Sequence, residues 1–255
     1  MSAIARALAE QHERIARAVA RAGRPAGSVR LIAVSKTKPA ALLREAYAAG
    51  QRDFGENYVQ EMLKKAAELS DLPDLRFHSI GHLQRNKARH VAGVVSAVHT
   101  VDDVRLAEEL GKRAAQKLVA QERLWSPGAR PVEPSRLPVL VEVNVSGEAS
   151  KSGCAPHELG ALLDAIDGQA SLSLSGLMTV PPASEDPEAA RPFFERLVEL
   201  QRAHGGPARL PELSMGMSHD LEVAVSSGAT CVRVGTAIFG ARDYGSSEGE
   251  PGAKI

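Results

Sequence analysis

The sequence contains little of what disulfide frameworks, metal clusters or membrane spans require. Its 255 residues include two cysteines, Cys154 and Cys231, which lie far apart and lack metal-ligand spacing. No run approaches the roughly eighteen apolar residues that cross a bilayer. Basic and acidic residues number 31 each, so balanced charge gives no reason to expect binding to nucleic acid or to an anionic membrane. We therefore expect a protein without a metal site, a nucleic-acid partner or a membrane partner.

The first residues, 1–24, are rich in alanine and arginine, as a transit peptide would be. However, Glu10 and Glu13 interrupt the basic run, and no apolar h-region is present. Apolar residues recur here at helical spacing: Ile4, Leu8, Ile15 and Val19. This pattern predicts an amphipathic helix over 2–22 that packs on the domain. Because residues 1–24 do not read as a targeting segment, we expect a cytoplasmic protein.

Short apolar segments alternate with amphipathic ones along the chain. The predicted strands are 31–36, 52–54, 75–80, 94–98, 139–145, 172–178, 212–217 and 231–234. Eight parallel βα units with right-handed crossovers close into a barrel, and no change in composition marks a second core. We predict a single α/β domain over 1–242, a (β/α)8 TIM barrel with the added N-terminal helix. The alternative is an open doubly wound sheet, but no glycine-rich dinucleotide fingerprint follows the first strand.

Two segments do not belong to this alternation. The segment 125–138 is rich in proline and arginine and is typical of a surface excursion, whose purpose the sequence does not indicate. The last residues, 243–255, consist largely of Gly, Ser and Glu, so we expect a mobile C-terminal tail.

The first predicted strand is buried on both faces and ends in an amine, Lys36, just before Pro39 opens a helix. A lone lysine at a strand end is most often a solvated rim residue. In such barrels, however, the carboxyl ends of the strands form the working rim. The residues that we expect there are Lys36, Asn57, His78, Asn86, Lys151, Met178, Ser214, Ser218, Arg233, Gly235 and Thr236. Most of them are polar, which favours a ligand site.

The loops after the seventh and eighth strands resemble a phosphate site. Barrels often bind phosphate there, next to a helix N-terminus. Gly216 permits close backbone approach, Ser218 is predicted to cap a helix from His219, and Gly235 with Thr236 add bare backbone and a hydroxyl. The alternative is an ordinary N-cap at Ser218 and a packing glycine at Gly235.

A barrel with an amine facing a phosphate cradle could hold pyridoxal 5'-phosphate (PLP). Its aldehyde would form a Schiff base with Lys36, provided that the pKa of this amine falls. Arg233 would then point at the pyridine nitrogen and, because an arginine does not give up its proton, leave that nitrogen unprotonated. An unprotonated ring is a weaker electron sink.

The sequence also resembles the pyridoxal phosphate homeostasis protein family from about residue 16 to residue 244. The matching stretches are AVSKTKP at 33–39, FGENYVQE at 54–61, HSIGHLQRNK at 78–87, VNVSGEASKSG at 143–153, GLMTV at 176–180, LSMGMSHD at 213–220 and VRVGTAIFGAR at 232–242. Ser79 stands where this family usually has phenylalanine, and the 125–138 segment is longer than usual.

The resemblance implies the fold of the alanine racemase N-terminal barrel, a type III PLP fold, and a monomer. It implies Lys36 as the Schiff-base lysine and Asn57 close to the cofactor. Ser218, Gly235 and Thr236 would lie at the phosphate, and Arg233 near the pyridine nitrogen. It also implies a role for Lys151 in cofactor handling.

Three functions remain open at this point. The favoured one is a carrier without catalytic residues, which holds PLP on Lys36 and delivers it to PLP-dependent apoenzymes or buffers its free level. The alternative is a PLP-dependent racemase or decarboxylase. Proton chemistry on two faces needs a second base, which alanine racemases take from a C-terminal domain that we expect to be missing here. The third is a barrel that binds an unrelated sugar phosphate.

Overall fold

The structure, a computed structural model, describes residues 1–123 and 136–241, with side chains up to residue 117 in the first range. The predicted tail over 243–255 and nearly all of the predicted excursion lie outside the described residues.

Eight parallel strands form a closed barrel in sequence order, as predicted. The strands are β1 (Arg30–Val34), β2 (Asp53–Glu56), β3 (Arg76–Ser79), β4 (Val95–Val101), β5 (Leu137–Glu142), β6 (Leu172–Met178), β7 (Glu212–Ser214) and β8 (Cys231–Val234). Strand β1 pairs with both β2 and β8, which closes the barrel.

Helices cover the outside of the barrel. They are α1 (Ala3–Arg21), α2 (Ala40–Ala48), α3 (Val59–Glu68), α4 (Ala88–Val91), α5 (Val104–Arg123), α6 (Leu159–Asp167), α7 (Arg191–Ala203), α8 (Gly206–Arg209), α9 (Leu221–Ser227) and α10 (Thr236–Phe239). Single 3-10 turns at Arg85–Lys87 and Pro187–Ala190 precede α4 and α7. Within the described residues, no helix combines the length and apolar character that a membrane span needs.

The core lies between the strands and the helices. Large apolar side chains such as Leu43, Met62 and Phe194 are fully buried there. The N-terminal helix adds Ile4, Leu8, Ile15 and Val19 to this core, so the predicted amphipathic face is its packing face.

Several strand ends differ from the prediction. Strand β1 ends at Val34, two residues before Lys36, and β7 ends at Ser214 rather than at residue 217. Strand β5 ends at Glu142 because Asn144 starts a turn, in which its side-chain oxygen accepts bonds from the Gly147 N–H and the Ser146 hydroxyl. Strand β4 instead continues to Val101, three residues beyond the predicted end.

Candidate functional site

A cavity of about 380 Å³ opens at the carboxyl ends of β1, β2 and β8. Its lining consists of Val34, Lys36, Lys38, Asn57, Ile80, Val180, Met217, Ser218, His219, Arg233, Gly235, Thr236 and Gly240. Six of the residues predicted for the rim are therefore brought together around one cavity. A second cavity, of about 350 Å³, lies at the opposite end near the starts of β4 and β5 and contains none of them.

The backbone on both sides of Lys36 is held in place. The Lys38 N–H donates to the Ser35 carbonyl (3.0 Å), which closes a tight turn around Lys36. The Thr37 N–H donates to a Glu61 carboxylate oxygen (2.6 Å). Thr37 has a φ of 64°, a left-handed conformation that a β-branched residue rarely adopts. The surrounding contacts must therefore stabilise this turn, which places Lys36 at the cavity.

A buried lysine on α3 provides the strongest of these contacts. The Lys65 ammonium lies 2.6 Å from the Ser35 carbonyl oxygen, 2.6 Å from a Glu56 carboxylate oxygen and 2.7 Å from Glu61. The Ser35 hydroxyl donates to the same Glu56 oxygen (2.6 Å). Burial raises the pKa of Glu56, although Lys65 opposes the change. Sequence reasoning missed this network; the i,i+4 spacing of Glu61 and Lys65 was its one signal.

The residues proposed for phosphate differ in detail from the prediction. Helix α9 begins at Leu221, and its N-cap is Asp220, whose carboxylate accepts from the Met217 N–H (2.6 Å). The prediction that Ser218 caps this helix was therefore wrong. Ser218 lies in the loop before the helix and lines the cavity. Gly216 has a φ of +94°, so the loop turns where only glycine fits well.

The N-terminal helix supports this loop from outside. The Arg14 guanidinium forms two 2.8 Å bonds with the carboxylate of Glu222, and one of its nitrogens also donates to the Ser218 carbonyl (3.2 Å). On the other side of the cavity, Gly235 is the N-cap of α10 and Thr236 is its first residue. The two sides of the predicted phosphate site are therefore held by Arg14 and by the start of α10.

Arg233 lies in β8, almost completely buried. Its guanidinium donates to the Ser214 hydroxyl oxygen (2.7 Å) and to the Thr179 carbonyl (3.0 Å). Burial lowers its pKa. Glu142 lies at the end of β5. Burial and the charge of Asp102 raise the pKa of its carboxyl group to about 7, although the charge of Arg233 opposes this change.

Two of the predicted rim residues lie deeper, inside the barrel. His78 was expected at the rim, but its ring is buried and binds His99 (3.0 Å) and Asp53 (2.9 Å). Ser214 is fully buried and contacts the other nitrogen of His99 (3.0 Å). These polar groups face the barrel lumen, because side chains of a strand alternate between lumen and helices.

The remaining three predicted residues do not line the cavity. Met178 ends β6 and is buried. Lys151 lies in the loop after β5 and its amine donates to the Pro181 carbonyl (3.3 Å). Asn86 is exposed in the turn before α4. Across residues 1–123 and 136–241, no group of three or more His, Cys, Asp or Glu side chains has an arrangement that suits a metal ion.

Comparison with known proteins agrees with the barrel fold. The chain matches the family described as "Alanine racemase, N-terminal domain" over residues 7–243. The chain therefore belongs to this family of barrels.

Relatives of known name define the group more closely. The pyridoxal phosphate homeostasis protein of Pseudomonas aeruginosa is 49% identical over 245 residues, which cover 96% of this chain and 98% of that protein. The human protein of the same name is 42% identical, covering 93% of this chain and 86% of that protein. The chain thus belongs to the pyridoxal phosphate homeostasis protein family.

Solved structures agree as well. PipY of Synechococcus elongatus with PLP bound is 38% identical, with a TM-score of 0.73, and the match covers 93% of this chain and all of that one. Alanine racemase of Corynebacterium glutamicum is 16% identical with a TM-score of 0.63; the match covers 93% of this chain and 60% of that one, and shows the shared fold.

Proposed function

We propose that this chain binds PLP, holds it as a Schiff base on Lys36 and takes part in intracellular PLP homeostasis or delivery without turnover. One observation carries the proposal. A single cavity brings Lys36 and Arg233 together with Ser218, Gly235 and Thr236, in a chain that is 38% identical to a protein whose structure contains PLP.

The groups around the cavity fit such a ligand. Lys36 provides a primary amine, and Ser218 and Thr236 provide hydroxyl donors suited to a phosphate. Arg233 provides a permanently charged donor for a ring nitrogen. Asn57 is an additional amide donor at the cavity.

Two of the remaining predicted residues lie away from the cavity lining. Ser214 is proposed to act through its contact with Arg233, and Met178 is the buried last residue of β6, for which we propose no contact with the ligand. Lys151, His78 and Asn86 do not line the cavity, so we propose no direct contact between them and the ligand.

The chemistry that PLP supplies when bound is an aldehyde able to condense with a primary amine. Lys36 would supply that amine; the condensation would release the carbonyl oxygen as one water molecule and would need no oxidant or reductant. Arg233 would keep its own proton and so would leave the pyridine nitrogen unprotonated. This weakens the electron sink that racemisation and decarboxylation need.

The alternative function is an amino-acid racemase or decarboxylase. It would need a proton donor or acceptor on the ligand face opposite Lys36. Of the tyrosines in the part of the chain that the structure describes, Tyr47 stacks on Arg52 and Tyr58 is mostly exposed, and neither lines the cavity. The curated relatives are named as homeostasis proteins, which also favours a carrier.

The proposal is tested by adding PLP, reducing with borohydride and locating the modified lysine by mass spectrometry. We expect one pyridoxyl phosphate group on Lys36, and none in Lys36→Ala. Lys38→Ala is the matched control, because Lys38 lines the same cavity while its amine binds the Ala241 carbonyl. Modification confined to Lys38 or Lys151 would contradict the assignment.

Turnover and assembly need separate measurements. Purified protein with bound PLP should neither racemise nor decarboxylate amino acids; either activity would favour the enzyme instead. Transfer of PLP to an apoenzyme, followed by the recovery of that enzyme's activity, tests delivery. We further propose a cytoplasmic monomer, which light scattering after gel filtration and cell fractionation would check.

A further inference from the structure

A continuous line of hydrogen bonds runs through the barrel lumen beneath the cavity. Its members, in order, are Arg233, Ser214, His99, His78 and Asp53. The four contacts measure 2.7, 3.0, 3.0 and 2.9 Å between the donor and acceptor atoms. They link strands β8, β7, β4, β3 and β2. Because β4 and β7 are not neighbours in the barrel, the contact between His99 and Ser214 crosses the lumen.

The two ends of the line fix its direction. An arginine only donates hydrogen bonds, and an ionised carboxylate only accepts them. Arg233 therefore donates to the Ser214 oxygen, and Asp53 accepts from Nε2–H of His78. Hydrogen bonds to Arg76 and His78 hold the pKa of Asp53 well below its usual range against the opposing effect of burial, so this carboxylate is ionised at neutral pH.

The charge state of His78 decides which atoms donate and which accept in the hydrogen bonds between the two ends of the line. Asp53 is already neutralised by Arg76, which forms two 2.8 Å bonds with its carboxylate. Arg233 lies at the other end of the line, and Arg30 also acts on His99. A positive charge on the buried His78 ring would lose its hydration, and its carboxylate partner is already shared with Arg76.

A neutral His78 leaves one arrangement for the other groups. Its Nε2 carries the proton toward Asp53, so its Nδ1 must accept from Nε2–H of His99. The Nδ1 of His99 must then accept from the Ser214 hydroxyl. Burial lowers the pKa of His99 well below its usual value, which agrees with a neutral ring. Burial also raises the pKa of the adjacent Cys231 thiol to about 11, so no thiolate competes for the hydroxyl proton.

We infer that Ser214, His99, His78 and Asp53 are positioning residues for Arg233, joined in one oriented line in which both histidines are neutral and carry their proton on Nε2. The Ser214 hydroxyl then turns its proton toward His99 and offers only its lone pairs to the guanidinium. This orientation holds the Arg233 plane, together with the Thr179 carbonyl. The step from Arg233 to the ligand rests on the proposed function; the arrangement of protons does not.

The protons are tested first, on the full chain labelled with ¹⁵N and without added PLP. Long-range ¹H–¹⁵N correlation spectra near neutral pH should show one protonated nitrogen, Nε2, in each of the two rings. His78→Gln and His99→Gln assign the signals, and the exposed His12→Gln serves as the control. A doubly protonated His78, or a His99 proton on Nδ1, would overturn the inference.

The effect on the ligand is tested with Ser214→Ala and Ser214→Thr. The first removes the acceptor of the Arg233 bond, and the second restores a hydroxyl. We expect Ser214→Ala to release PLP about tenfold faster, as the loss of one charged hydrogen bond implies, and Ser214→Thr to recover most of this loss. Lys36 should still be modified in both variants.

The outcomes separate the two claims. Absence of any modified Lys36 in the unaltered protein contradicts the proposed function and leaves the NMR result standing. Equal retention of PLP by Ser214→Ala and the unaltered protein contradicts the positioning role, even where Lys36 is modified.

Discussion

The ammonium nitrogen of Lys65 lies 2.6 Å from the carbonyl oxygen of Ser35, the residue that precedes Lys36. A buried cation thus binds the backbone immediately next to the proposed Schiff-base lysine. Two carboxylates, Glu56 and Glu61, neutralise this cation within 2.7 Å. Removing one partner of a buried ion pair is costly. The same network therefore stabilises the fold and holds the backbone next to Lys36.

Lys65→Met should therefore destabilise the protein by about 3–5 kcal/mol, because two carboxylates lose their buried partner. It should also slow the incorporation of PLP at Lys36. Urea denaturation measures the first effect, and reduction with borohydride at set times measures the second. Lys64→Met is the control, since this neighbour is mostly exposed and pairs with Glu68 at 3.8 Å. Equal losses in both variants would contradict the role of Lys65.

The carboxyl group of Glu142 should make stability depend on pH. Its pKa is about 7 in the folded protein, against a usual value of 4.5. Between these values the folded state binds more protons than the unfolded state, so stability falls as the pH rises from about 4.5 to 7, and the penalty stays constant above. One Glu142 carboxylate oxygen has no hydrogen-bond partner among the described residues, which agrees with this cost.

Glu142→Gln should remove this dependence. We expect the variant to be more stable than the unaltered protein at pH 8 by on the order of 3 kcal/mol, with little difference at pH 4.5. Denaturation at the two pH values measures the change. The exposed Glu148→Gln should have no such effect, and a Glu142→Gln difference that does not vary with pH would contradict the assigned pKa.

Arg233→Glu should change the electronic state of bound PLP. A carboxylate in place of the guanidinium would favour a protonated pyridine nitrogen, which alters the absorbance spectrum. The same variant loses the bonds to Ser214 and Thr179, so we expect a loss of stability of about 2–3 kcal/mol as well. Arg202→Glu, on the exposed side of α7, is the control. An unchanged spectrum in folded Arg233→Glu would contradict the placement of Arg233.

Gly176 of β6 should not tolerate a side chain. A Cβ atom there would lie 1.9 Å from the Glu212 carbonyl oxygen of β7, and the φ is +155°. Gly176→Ala should therefore cost more than about 3 kcal/mol or prevent folding. Gly168→Ala is the matched control, because its nearest neighbour would lie at 3.5 Å; this variant should be as stable as the unaltered protein or slightly more so. Circular dichroism during heating compares them.

The sequence was sufficient to predict the barrel and part of the lining of the cavity. Strands β6 (Leu172–Met178) and β8 (Cys231–Val234) have the predicted bounds. Prolines follow the apolar run of β6, and Gly235 follows that of β8. The predicted barrel also brought Lys36, Arg233 and Thr236 to one cavity, because the strand ends of a closed barrel share a rim.

The lumen was not predictable in the same way. The predicted strand 94–98 ended just before His99, yet β4 continues through it. The partners of His99, His78 and Ser214, come from distant segments. Lys65 resembles any exposed helical lysine until Glu56 and Ser35 are known to approach it. A polar side chain is stable in such places only with its partners, and a linear pattern does not show which partners will meet.

Arg14 gives the N-terminal helix a second significance. Its guanidinium reaches the carbonyl of Ser218, 204 positions later in the chain, at the wall proposed for the ligand's anionic group. The helix that precedes β1 thus braces the loop between β7 and β8. In a barrel without that helix, the same carbonyl would accept from water or from another donor.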